Sequence, residues 1–135
     1  HHRGGLGITK TFRVTADCVF NAAFDRIDCP PWGLRGGGQA LAQYAEIERV
    51  DGRREPIRKT TGIALAAGDR VHISSGGGGG YGPPAERDPE AVRRDVELRF
   101  VSMEAATKVY RVSLAPDGSV DDERTAALRA ITANR

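Results

Sequence analysis

The sequence lacks the features that mark several large classes of protein. It has only two cysteines, Cys18 and Cys29, so it does not encode a disulfide framework. No apolar run approaches the roughly 20 residues that a membrane-spanning helix needs, and no segment has the pattern of a signal peptide. We therefore expect a cytoplasmic protein with no membrane partner.

No charge of one sign dominates, since 20 basic and 18 acidic residues leave a net charge of +2. The only arginine doublets are Arg53-Arg54 and Arg93-Arg94. Nucleic-acid binding usually needs a concentrated patch of Lys and Arg, so we expect no nucleic-acid partner. The length of 135 residues fits a single domain over residues 1–135 with a modest core.

Antiparallel β-structure is predicted over about residues 6–75. Apolar residues occupy every second position from Phe12 to Phe20, which favours a long or bent strand, or a hairpin. A strand at about 42–50 is followed by Asp51-Gly52, a hairpin turn, and by a returning strand at 53–60. Apolar residues around Gly68-Asp69 predict one more tight pair, over about 63–73. The total is about five to seven strands.

Two or three short helices are predicted in the C-terminal part, residues 88–135. Asp88 suits a helix N-cap before Pro89, and an apolar stripe follows from Val92 to Phe100. Ser102 and Asp121 suit the caps of two further helices. Residues 111–114 suit a short strand, and Leu128 and Ile131 suit one face of the last helix. The predicted fold class is α+β, with a β-rich body followed by helices.

Glycines form a junction at residues 76–84, where five of them precede Tyr81. Ordering five consecutive glycines is entropically costly, so side chains must be excluded there by a close backbone approach or by unusual torsions. A phosphate cradle is the less favoured interpretation, because the run lacks the P-loop lysine. We predict a close-packed loop or partner interface at Trp32, Gly36, Gly37, Gly76, Gly77, Gly78, Gly79, Gly80 and Tyr81.

No catalytic or metal-ligating set is predicted. Cys18, Cys29 and His72 are zinc-ligand types, but their spacing lacks the close pairs of most zinc sites. Cys18 falls among the apolar positions of its predicted strand, which we expect to be buried. His72 falls on the opposite face of its own predicted strand from its apolar neighbours, where a histidine is usually solvated or hydrogen-bonded. Ser74 and Ser75 have no evident partner acid and base.

A series of motifs resembles one family. The series comprises Gly4-Gly5-Leu6-Gly7, Pro30-Pro31-Trp32-Gly33-Leu34 with Gly36-Gly37, Gly68-Asp69, the glycine run with Tyr81-Gly82, Glu86-Arg87-Asp88-Pro89, Val101-Ser102, and Asp117-Gly118-Ser119-Val120-Asp121 with Thr125, Leu128 and Arg129. In this order they resemble the C-terminal region of the hydantoinase B/oxoprolinase family. Within that family, the chain resembles the separate small subunit of acetophenone carboxylases. It departs from the family pattern at Pro83 and Arg111.

The resemblance implies a small, non-ATP-binding subunit of an ATP-dependent carboxylase that joins a ketone to bicarbonate. A large B-type subunit and actin-like/Hsp70-like ATPase subunits would be its partners, with ATP and Mg on the latter and no cofactor on this chain. One alternative is a subunit or fragment of an ATP-dependent hydantoinase or oxoprolinase that hydrolyses a cyclic amide. Another is an independent binding module.

Overall fold

A computed structural model describes residues 1–133 and has the predicted α+β class. Antiparallel strands come first and three short helices follow. The chain forms two compact units. The strand-rich unit comprises Gly5–Trp32 and Gln39–Gly78, and the helical unit comprises His1–Gly4, Gly33–Gly38 and the chain from Gly79 onward. A single domain over residues 1–135 stays a prediction.

Six strands make two antiparallel sheets in the strand-rich unit. The strands are β1 (Thr9–Arg13), β2 (Cys18–Ala22), β3 (Tyr44–Glu48), β4 (Arg54–Pro56), β5 (Thr60–Leu65) and β6 (Arg70–Ser74). One sheet has the order β1-β6-β3-β4, and the other pairs β2 with β5. The core is aliphatic: Ala45, Ile47, Ile57, Leu65 and Val71 are buried together.

The predicted Asp51-Gly52 hairpin is confirmed between β3 and β4. Arg49 N–H donates to Arg53 O at 2.8 Å, and Gly52 N–H donates to Arg49 O at 2.9 Å. The turn needs glycine because Gly52 has a φ of 84°, a torsion that side chains disfavour. Glu48 pairs with Arg54 across the hairpin.

Two strand-pairing predictions were wrong. The alternation from Phe12 to Phe20 is interrupted between β1 and β2, which lie in different sheets. Phe12, in the edge strand β1, is 53% exposed. The segments around Gly68-Asp69 do not pair with each other either, since β5 pairs with β2, and β6 lies between β1 and β3. Alternation identifies residues that share a face, but it does not identify the neighbouring strand.

Three α-helices form the C-terminal part: α1 (Pro89–Glu97), α2 (Met103–Lys108) and α3 (Asp122–Ala133). The predicted caps are confirmed. The Asp88 carboxylate accepts hydrogen bonds from the first turn of α1, Ser102 Oγ accepts from Ala105 N–H at 3.0 Å, and Asp121 Oδ1 accepts from Arg124 N–H at 2.9 Å.

Three details of the helical part differ from expectation. The apolar stripe of α1 ends before Phe100, which lies past the end of the helix and is 43% exposed. No strand forms at residues 111–114, where Ser113 N–H bonds to Thr125 Oγ1 at 3.0 Å instead. Ile131 is exposed, although Leu128, three residues earlier in α3, is half-buried.

The buried cluster of the helical unit consists of Val92, Val101, Ala106 and Val112. Within residues 1–133, no helix is both long and apolar enough to cross a membrane.

Candidate functional site

The first half of the glycine run lies beside the N-terminal segment of the strand-rich unit. Gly78 N–H donates to Gly5 O at 3.0 Å, and Ser75 N–H donates to Ile8 O at 2.9 Å. A Cβ on Gly76 would overlap the Leu41 carbonyl. Gly77 has a φ of 76°, and a Cβ there would lie 2.5 Å from Gly5 O. Backbone therefore fills the space that side chains would need.

The second half of the run meets another glycine segment in the helical unit. Gly80 N–H donates to Gly38 O at 2.9 Å, and Leu34 N–H donates to Gly80 O at 2.9 Å. A Cβ on Gly37 would overlap the backbone of Gly80. Gly36 has a φ of 85° and faces the Pro83 ring.

These hydrogen bonds bear on the phosphate alternative. A phosphate cradle needs several backbone N–H groups that converge on one anion. In this run, the N–H groups of Gly78 and Gly80 donate instead to protein carbonyls. The geometry therefore favours backbone packing over anion binding.

The two aromatic residues of the predicted interface are both exposed. Trp32 is 60% exposed, with the Arg26 guanidinium 5.4 Å from its ring centroid. Tyr81 is 42% exposed, with the Arg35 guanidinium 5.8 Å from its ring. Large exposed aromatic side chains are favoured anchors of protein interfaces. A partner-interface role for the nine predicted residues stays a prediction.

The side chains considered for catalysis take part in bonds between strands. His72 Nδ1 lies 2.9 Å from Thr11 Oγ1, and His72 Nε2 lies 3.1 Å from Glu48 Oε2. Ser74 Oγ lies 3.1 Å from Thr9 Oγ1. Hydrogen bonds from Arg70 and His72 hold the pKa of Glu48 below its usual range. This is a cross-strand polar ladder.

Both cysteines are free and exposed. The expectation that Cys18 is buried was wrong, because Cys18 is exposed at the start of β2, whereas Phe20 of the same strand packs against the core. Among residues 1–133, no three His, Cys, Asp or Glu side chains are close enough together to hold a metal ion.

Sequence reasoning missed a buried carboxylate at Asp69. Its oxygens accept hydrogen bonds from Ala66 N–H, Val50 N–H and the Arg49 guanidinium, each at 3.0 Å. Arg49 also contacts Glu55 at 2.8 Å. The backbone bond from Ala66 and the Arg49 contact lower the pKa of Asp69, although burial opposes the shift. The sequence feature that could have indicated this role is the position of Asp69 directly after the turn residue Gly68.

A second missed carboxylate, Asp95, lies in α1 and is only 5% exposed. Arg3 Nε lies 3.1 Å away and Arg87 Nη2 lies 2.8 Å away. Its position between Val92 and Val96, on the apolar side of the helix, was the available indication. Through its ion pair with Arg3, Asp95 connects the N-terminal residues to α1 within the helical unit.

Curated relatives match nearly the whole chain. An uncharacterized protein of Methanocaldococcus jannaschii is 36% identical over 134 residues, which cover 96% of this chain and 23% of that protein. The B-type polypeptide of a putative D-/L-hydantoinase from a Pseudomonas species is 30% identical over 132 residues, covering 96% and 22%. The chain therefore spans less than a quarter of the length of these relatives.

Two solved structures share the fold. The ATP-dependent caprolactamase of Pseudomonas jessenii has a TM-score of 0.70 at 26% identity, covering 92% of this chain and 22% of the other. Nucleotide-free acetone carboxylase has a TM-score of 0.60 at 24% identity, covering 76% and 18%. The Hydantoinase B/oxoprolinase family model matches residues 1–84, more than half of the chain. The chain belongs to the Hydantoinase B/oxoprolinase family.

Proposed function

We propose that this chain is a non-ATP-binding structural part of a multi-subunit ATP-dependent enzyme. The supporting observation is its similarity to the B-type polypeptide of a putative hydantoinase and to an ATP-dependent caprolactamase. Its role is to present surfaces to the rest of that enzyme. The cross-strand bonding of His72 and Ser74 agrees with this role.

The reaction that we propose for the whole enzyme is ATP-dependent hydrolysis of a cyclic amide. Two relatives favour this class. The B-type polypeptide of the putative hydantoinase is similar over nearly the whole chain, and the beta subunit of a caprolactamase is 36% identical over 81 residues, which cover 60% of this chain.

Carboxylation of a ketone is the second candidate. The likeness to acetone carboxylase supports it, but at 24% identity that likeness concerns the fold alone. The motif order that resembles the small subunit of acetophenone carboxylases supports the same reaction class.

The proposed partners are a large B-type subunit and ATPase subunits of the actin-like/Hsp70-like type. ATP and its Mg would bind to the ATPase subunits. This chain would bind neither, in keeping with the N–H groups of Gly78 and Gly80 being bonded to carbonyls.

Affinity purification from the native host tests the assembly. A tag on this chain is expected to retain the ATPase-type and B-type polypeptides in fixed ratio. Retention of neither would overturn the structural role and favour an independent binding module.

ATP turnover by the purified assembly tests the reaction. We expect ATP hydrolysis to be stimulated by hydantoin, 5-oxoproline or caprolactam, with release of the ring-opened acid. Stimulation only by a ketone with bicarbonate would replace this reaction with carboxylation.

A further inference from the structure

We draw no further inference here: the strongest candidate, the side-chain cluster of Arg3, Arg87, Asp95 and Arg129 in the helical unit, leaves Arg87 Nε and Arg129 Nε without a hydrogen-bond partner among residues 1–133, but both atoms are buried and nothing in the structure shows a ligand or partner group that reaches them.

Discussion

Among single residues, Asp69 connects two separate segments of the strand-rich unit. Its carboxylate accepts from the hairpin residues Arg49 and Val50 and from the turn residue Ala66. A buried carboxylate of this kind is tolerated because its lone pairs are occupied by donors. Removing its charge leaves Arg49 with Glu55 as its one acidic partner among residues 1–133.

Acid is expected to destabilise the chain partly through Asp69. Its pKa is lowered in the folded protein, so its stabilising contribution is complete above the unfolded-state pKa of about 3.9. That contribution is lost as the pH falls through the lower folded-state pKa. Urea unfolding between pH 7 and pH 2.5 measures it. Asp69→Asn should lower the midpoint at pH 7 and flatten its decline below about pH 4. An unchanged slope would contradict this assignment.

Gly37 and Gly38 form a matched pair for testing the backbone packing. A Cβ at Gly37 would overlap the Gly80 backbone, whereas Gly38 has open space. We expect Gly37→Ala to destabilise the fold by about 2 kcal/mol or more. Gly38→Ala should be neutral or should stabilise by about 0.5 kcal/mol through the unfolded state. Chemical denaturation measures both, and equal effects would show that the overlap is relieved by movement.

At the scale of secondary-structure elements, the capped start of α1 is expected to contribute measurably to stability. The Asp88 carboxylate accepts from Glu90 N–H at 3.4 Å and Ala91 N–H at 3.2 Å. Asp88→Ala should cost about 1 kcal/mol, and Asp88→Ser should restore most of it. Thermal unfolding monitored by circular dichroism measures the loss. A neutral Asp88→Ala would contradict a stabilising cap.

Local sequence rules predicted the features that are set within a few residues. The Asp51-Gly52 turn and the cap residues Asp88 and Ser102 depend on short-range bonding, and all three were found as expected. Strand pairing depends on contacts far apart in sequence. The alternation that starts at Phe12 therefore indicated strands but did not indicate that they belong to different sheets.

The site was predictable to a similar extent. The glycine run predicted that side chains are excluded there. At Gly76 a Cβ would overlap neighbouring backbone, which agrees with that prediction. The partners in this packing, such as the Leu41 carbonyl, were not predictable because they come from distant segments. Asp69 and Asp95 were missed because burial of a carboxylate depends on which arginine reaches it, and periodicity does not contain that information.

For the whole molecule, exposed apolar side chains are the main indication of assembly. Trp32, Leu41, Val50 and Ile131 are each at least 60% exposed. Scattered apolar residues are normal on protein surfaces, so exposure alone does not identify an interface. Trp32 differs from the others because it is a large aromatic side chain with the Arg26 guanidinium over its ring, and tryptophan and arginine are both enriched at hot spots.

Trp32→Ala is expected to weaken assembly without unfolding the chain. The side chain is 60% exposed, so its removal should change the free energy of unfolding little. Loss of an interface tryptophan typically costs about 2 kcal/mol or more of binding. Retention of the tagged chain's partners measures the effect, with Ile131→Ala, at a position that is 72% exposed, as the control. Equal retention by both variants would place Trp32 outside the interface.

The glycine packing also constrains how the gene can change. A single base change in the first or second position of a glycine codon always replaces glycine, so it either adds a side chain or ends translation. At Gly7, Gly37 and Gly76, any such side chain would overlap a backbone carbonyl, whereas Gly5 and Gly38 have open space. Mutational tolerance should therefore alternate between neighbouring glycine codons, and a deep mutational scan of this gene would show isolated intolerant positions beside permissive ones.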